Sequence, residues 1–135
     1  MSLMRDYISL CCAASDPTLG DSVIVYQIKG VYAEEIVGVN RSDDGQEPVN
    51  NTLVVVPFNA KCDENYVSPK VWENMNISQK RHNYTFKEGD TILVNQTPSG
   101  VTTIEQIKNK YDDCFDIQGI KKFDKVYPHF ELTCK

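Results

Sequence analysis

Runs of alternating or β-branched and aromatic residues recur along this chain, which predicts a mainly β protein. Asp6 to Cys12 alternates weakly and predicts a first strand, followed by a loop over Ala13 to Asp21 where Ser, Asp, Pro and Gly gather. Ser22 to Ile28 (S-V-I-V-Y-Q-I) has the β-branched and aromatic composition of a strand. Lys29-Gly30 breaks that run before Val31 to Val39, so the two read as a hairpin. Asn40 to Asn51 (N-R-S-D-D-G-Q-E-P-V-N-N) is the most polar stretch and too long for a tight turn, which predicts a mobile loop. Thr52 to Phe58 is the most apolar strand, and Pro57 puts its end at a sheet edge or bulge, since proline cannot donate to the ladder.

The second half continues the pattern. Ser68-Pro69 before Val71-Trp72 reads as the start of a short helix, with Ser68 as cap and proline at the first helical position. Tyr84 to Lys87 and Thr91 to Asn95 read as strands on either side of a Glu88-Gly89-Asp90 turn. Thr102 to Glu105 has capping-box spacing, and Ile104, Ile107 and Tyr111 share a helical face, predicting a helix from about Thr103 to Tyr111. Cys114 to Phe123 and Phe130 to Cys134 close the chain as strands. The expected fold is a mainly β barrel or sandwich of about seven or eight strands, with one short helix packed at an open end. Its expected core is Ile24, Tyr26, Val54, Val56, Ile92, Ile104, Ile107, Tyr111, Ile117 and Leu132.

Length and charge narrow the function classes. The 135 residues fit a single domain over residues 4–135, with Met1-Ser2-Leu3 reading as an expression leader before Met4. Nineteen acidic residues against fourteen Lys and Arg give a formal charge of -5. That argues against a dedicated nucleic-acid binder and against an anionic membrane as partner. No secretion signal is expected, because Ser9 and two cysteines interrupt the mildly apolar Ile8 to Ala14. In a chain made in a cytoplasm, the five cysteines read as reduced and buried. No pair has the C-x-x-C spacing of a zinc site, and no cofactor or metal is expected.

Catalytic constellations are hard to assemble from these residues. Cys62 with His82 would make a thiolate nucleophile only if the fold joined them. His82 reads as a surface loop residue, and His129 as a histidine packed at the start of the last strand. Glu34-Glu35 cannot face one site in a regular strand, Asp43-Asp44 reads as solvated, and Asp112-Asp113 follows the helix and leads into the next strand. Phosphate-cradling glycine loops are absent. Lys121, Lys122 and Lys125, with Phe123 and Tyr127 nearby, read as a solvated loop. Trp72, the single tryptophan, is either a core anchor or a candidate interface anchor.

Three stretches carry a resemblance: Tyr66-Val67-Ser68-Pro69-Lys70-x-Trp72; Tyr84-Thr85-Phe86-Lys87-Glu88-Gly89-Asp90-Thr91-Ile92-Leu93; and Ile104-x-x-Ile107-x-x-x-Tyr111 with Pro128-His129-Phe130-Glu131-Leu132. In this order they resemble small structural proteins of tailed phages and prophages of clostridia-like bacteria, and more distantly the phage head–tail joining proteins. The resemblance implies a neck subunit that works by assembly, not as an enzyme. Its implied partners are copies of itself in a virion ring and the portal, adaptor or tail proteins. Its implied location is the bacterial cytoplasm during assembly, then the virion. On that basis Asn40, Arg41, Asp43, Asp44, Gln46 and Glu47 form the candidate interaction loop, ordering on a partner. Two other classes stay open: a regulatory or non-viral β-barrel protein-binding module, and a small Cys/His enzyme.

Overall fold

A computed structural model describes residues 5–16, 20–42 and 45–135, with the side chains at 16, 21 and 36–50 outside that description. The elements, in chain order, are β1 (Asp6–Asp16), β2 (Gly20–Ser42), β3 (Gly45–Pro57), β4 (Asn65–Tyr66), α1 (Pro69–Glu73), α2 (Ile77–Lys80), β5 (Asn83–Tyr84), β6 (Thr91–Val94), α3 (Ile104–Lys110), β7 (Cys114–Phe123) and β8 (His129–Cys134). Six strands close into a barrel in the order β1-β2-β3-β8-β7-β6, and β4 and β5 form a small parallel pair. All six barrel pairings are antiparallel.

Alternation explains the barrel. Ile8, Leu10, Cys12 and Ala14 of β1 share one face, and Ile24, Tyr26 and Ile28 of β2 meet them. Val54 and Val56 of β3 and Phe130, Leu132 and Cys134 of β8 complete the same cluster. Cys11 and Leu93 have the opposite parity and point outward. They are nevertheless fully buried, because Ile107 of α3 covers them. Of the expected core, Ile104 and Tyr111 are only partly buried, since they flank this outer cluster; the other eight residues are buried.

The strands are longer and differently joined than the break signals predict. β1 runs on to Asp16, and Asp16 pairs with Gly20, so residues expected as loop belong to the first hairpin. Lys29-Gly30 is no hairpin turn. Asp6 pairs with Val31 while Tyr7 pairs with Lys29, which leaves Gly30 as the extra residue of a β-bulge. Its φ of 79° is one that glycine adopts without penalty. At this bulge β2 changes partner, pairing with β1 up to Val31 and with β3 from Tyr32 to Ser42.

The barrel has two distinct ends. At one, Pro57, His129 and Phe123 lie side by side in register. Residues 58–90 leave β3 there and return to β6, placing Tyr66, Trp72, Tyr84 and Phe86 in the same core cluster. The Tyr66 and Phe86 rings pack on Phe130, at 4.8 Å and 5.2 Å between centroids, and Tyr84 packs on both of them. The short helix at the barrel end is therefore α1, through Trp72, while α3 packs outside. At the other end, β2 and β3 run on past the barrel. No described helix is long and apolar enough to cross a membrane.

Candidate functional site

The segment expected as a mobile loop is largely paired strand. Asn40, Arg41 and Ser42 pair with Glu47, Gln46 and Gly45, and pairing continues through Asn51 opposite Ile36. The physical reason is that β2 and β3 zip continuously from the barrel wall outward, so polar residues extend a ladder already nucleated by Val54 and Val55. Asp43 and Asp44 lie outside the described residues. The pairing of β8 with β3 stops at Thr52, and that of β1 with β2 stops at Val31. Among the described residues, 36–42 and 45–51 thus pair only with each other. They form a two-stranded ribbon about 23 Å long at roughly 3.3 Å per residue. Such a ribbon keeps two open edges of backbone donors and acceptors, and it is marginally stable by itself.

Trp72 is a core side chain and not an exposed interface anchor. It is 2% exposed, held there because its indole fills the barrel end. Its Nε1–H donates to the Asn83 carbonyl at 3.0 Å and to the Tyr26 hydroxyl at 3.3 Å. The Tyr26 hydroxyl in turn donates to the Lys80 carbonyl. Lys80 and Lys87 place their ammonium groups 4.5 Å and 4.1 Å from the Trp72 ring centroid, within cation–π range. Lys87 also faces Asp90 at 3.9 Å, and Asp90 accepts the Cys12 thiol at 3.4 Å. Burial raises the Asp90 pKa above the ordinary carboxylate value, while Lys87 and the thiol partly oppose it.

Among the described residues no cysteine is hydrogen-bonded to a histidine. Cys62 donates to Glu64 at 3.6 Å, and His82 is exposed, with its carbonyl accepting from Asn65. Burial pushes Cys62 up to about 11 and Cys11 and Cys134 up to about 12, away from the depressed pKa of an activated thiol. Cys12 and Cys114 shift upward for the same reason. His129 packs at the start of β8, donating from Nδ1 to the Tyr127 carbonyl at 2.6 Å and stacking on Phe123 at 4.8 Å. Among the described residues no group of three or more His, Cys, Asp or Glu side chains is placed to hold a metal ion.

A second surface emerges at the end opposite the ribbon. Phe58, Phe123, Val126 and Tyr127 are exposed there, with Val126 fully in solvent. Val126 has φ of 63°, a strained conformation for a β-branched residue. Lys122 lies 5.8 Å from the Phe58 ring, beside a cavity of about 200 Å³ floored by Val56, Tyr66, Tyr84 and Phe130. Lys29 and Lys61, joined backbone to backbone, flank Tyr127 around a further cavity of about 450 Å³. Only part of this surface was visible as the Lys121–Tyr127 run. Phe58, Lys29 and Lys61 join it through the topology.

The chain belongs to a family described as a family of unknown function (DUF6751), whose model matches residues 10–135. No curated protein and no solved structure matches it.

Proposed function

We propose that this chain is a structural subunit of a tailed-phage or prophage particle, a head–tail joining or neck subunit that acts by assembly. One observation carries the proposal: a ribbon with two open edges projects from an otherwise closed barrel. Closing a sheet removes the edges through which β proteins pair with strangers. Here six strands close, yet β2 and β3 run on by about seven residues each as a ribbon with no third strand beside it among the described residues. A solitary monomer gains little from that extension, because a two-stranded ribbon without a third strand is marginal. A subunit that offers its ribbon to a neighbour recovers the missing pairing on assembly.

Mass spectrometry of purified particles after prophage induction in the source bacterium tests this role. The expected result is the chain at a copy number near that of the portal. Intact particles with portal and tail proteins but without this chain overturn it.

A further inference from the structure

The two ends of the barrel differ in charge as well as in shape. The ribbon leaves the barrel through Glu34 and Glu35, both exposed, and Glu47 follows at the register position opposite Asn40, against Arg41 in the ribbon and Lys135 at the end of β8, next to the Cys134–Thr52 pair. At the far end of β3, the β7–β8 connection brings Lys121, Lys122 and Lys125, all exposed, against Asp124 in the turn and Glu131 opposite Lys121. Lys29 and Lys61 add two further cations around the cavity that Tyr127 lines, with Asp63 in the adjoining cavity. A chain of net charge -5 thus keeps a locally basic, aromatic end and places its acidic projection at the opposite end. Exposed apolar residues are ordinary when scattered, but Phe58, Phe123, Val126 and Tyr127 are gathered among these lysines.

We propose that the lysine- and aromatic-rich end of one copy receives the glutamate-bearing base of the β2–β3 ribbon of a second copy. The interface joins unlike surfaces, so it is heterologous and propagates from copy to copy, closing into a ring where the rotation allows. Charge complementarity sets the partner and the polarity. The exposed aromatics Phe58, Phe123 and Tyr127 supply apolar burial. The lysines also match nucleic-acid phosphates or anionic lipid, but the overall negative charge disfavours both, whereas the ribbon provides a matched acidic surface on the same chain. The inference builds on the assembly role proposed above and names its interface.

Charge exchange tests it in the full-length chain. Sedimentation velocity at low salt is expected to show concentration-dependent self-association that fades at about 1 M salt. The K121E/K122E/K125E variant and the E34K/E35K variant each weaken self-association by about tenfold or more, and a mixture of the two restores it between unlike copies. Thermal unfolding confirms that both variants fold, since all five positions are exposed. A wild-type chain that stays monomeric at low salt overturns the proposal. So does a pair of variants that fail to rescue each other. Preferential binding of oligothymidine or phosphatidylserine vesicles at the lysine end, without self-association, assigns that surface to another partner and overturns it as well. Presence of the chain in particles, together with failed rescue, rejects the interface alone and leaves the structural role standing.

Discussion

Ile107 separates packing from surface electrostatics in one turn of helix. α3 is seven residues long, too short to persist alone, so its helicity depends on docking. Ile107 is its one buried residue, fully covered against Cys11 and Leu93 on the outer face of β1 and β6. Truncation of a buried isoleucine to alanine costs about 2–5 kcal/mol. This satellite cluster has three fully buried members and can partly collapse, so Ile107→Ala is expected near the lower end, about 2–3 kcal/mol. For a chain of this size that lowers Tm by about 10 °C. The neighbouring Lys108 provides the control. Its ammonium lies 2.8 Å from Asp116, but the two side chains are 46% and 30% exposed. Screening limits such a pair to under about 1 kcal/mol, so Lys108→Ala moves the midpoint little. Urea unfolding of both variants, followed by Trp72 emission, is the assay. Trp72 belongs to the other cluster, so the native emission of Ile107→Ala stays that of the parent. An Ile107→Ala cost under about 1 kcal/mol, matching Lys108→Ala, refutes the docking of α3.

Tyr26→Phe removes the hydroxyl that donates to the Lys80 carbonyl. Trp72 keeps its bond to Asn83, so a loss of about 1–3 kcal/mol in urea unfolding is expected from the orphaned carbonyl. Asp90→Asn is expected to stabilise the chain at neutral pH. Because burial raises the Asp90 pKa, the folded state holds a proton that the unfolded chain has lost, and wild-type stability falls as pH climbs from the ordinary carboxylate value through the raised one. Urea midpoints across that window lose this slope in the variant; an unchanged slope refutes the cause. Val126→Gly relieves a left-handed β-branched residue in open solvent and raises stability by roughly 0.5–1 kcal/mol in thermal unfolding, after the entropic cost of glycine. Replacing residues 36–51 by a short turn leaves Tm within a few degrees, since β8 pairs only with Thr52–Pro57; collapse of the barrel would show that the ribbon is structural.

Barrel walls were legible because their alternation is local: Ile24 and Tyr26, or Val54 and Val56, report their face without knowledge of a partner. Strand ends were not. Gly30 looks the same in sequence whether it turns a hairpin or bulges a strand, and only the partner across the sheet, Asp6 and Tyr7, decides. The polar 40–51 segment was misread for a related reason. Polarity does not report backbone pairing, and a two-stranded ladder can carry polar residues as a loop does. The outward pair Cys11 and Leu93 was invisible until α3 covered it. The lysine–aromatic surface was half legible, as K-K-F-D-K-V-Y, while Phe58 reaches it from about sixty residues away in sequence just past the β3–β8 register, and Lys61 through its bridge to Lys29.

The bulge at Gly30 ties the barrel to the ribbon. Without it, β2 would keep one register along β1, and the sheet would have no point at which β2 passes from one neighbour to the other with altered twist. With it, the same strand closes the barrel through Val31 and then carries the ribbon away from Tyr32 onward. The sheet's antiparallel order then fixes the polarity: β3 begins in the ribbon and ends at Pro57, beside Phe123 and His129. The acidic projection and the basic aromatic end must therefore lie at opposite ends of one rigid strand. A molecule built in that way cannot bring those two ends together within itself, and that separation is the premise of the head-to-tail contact proposed above.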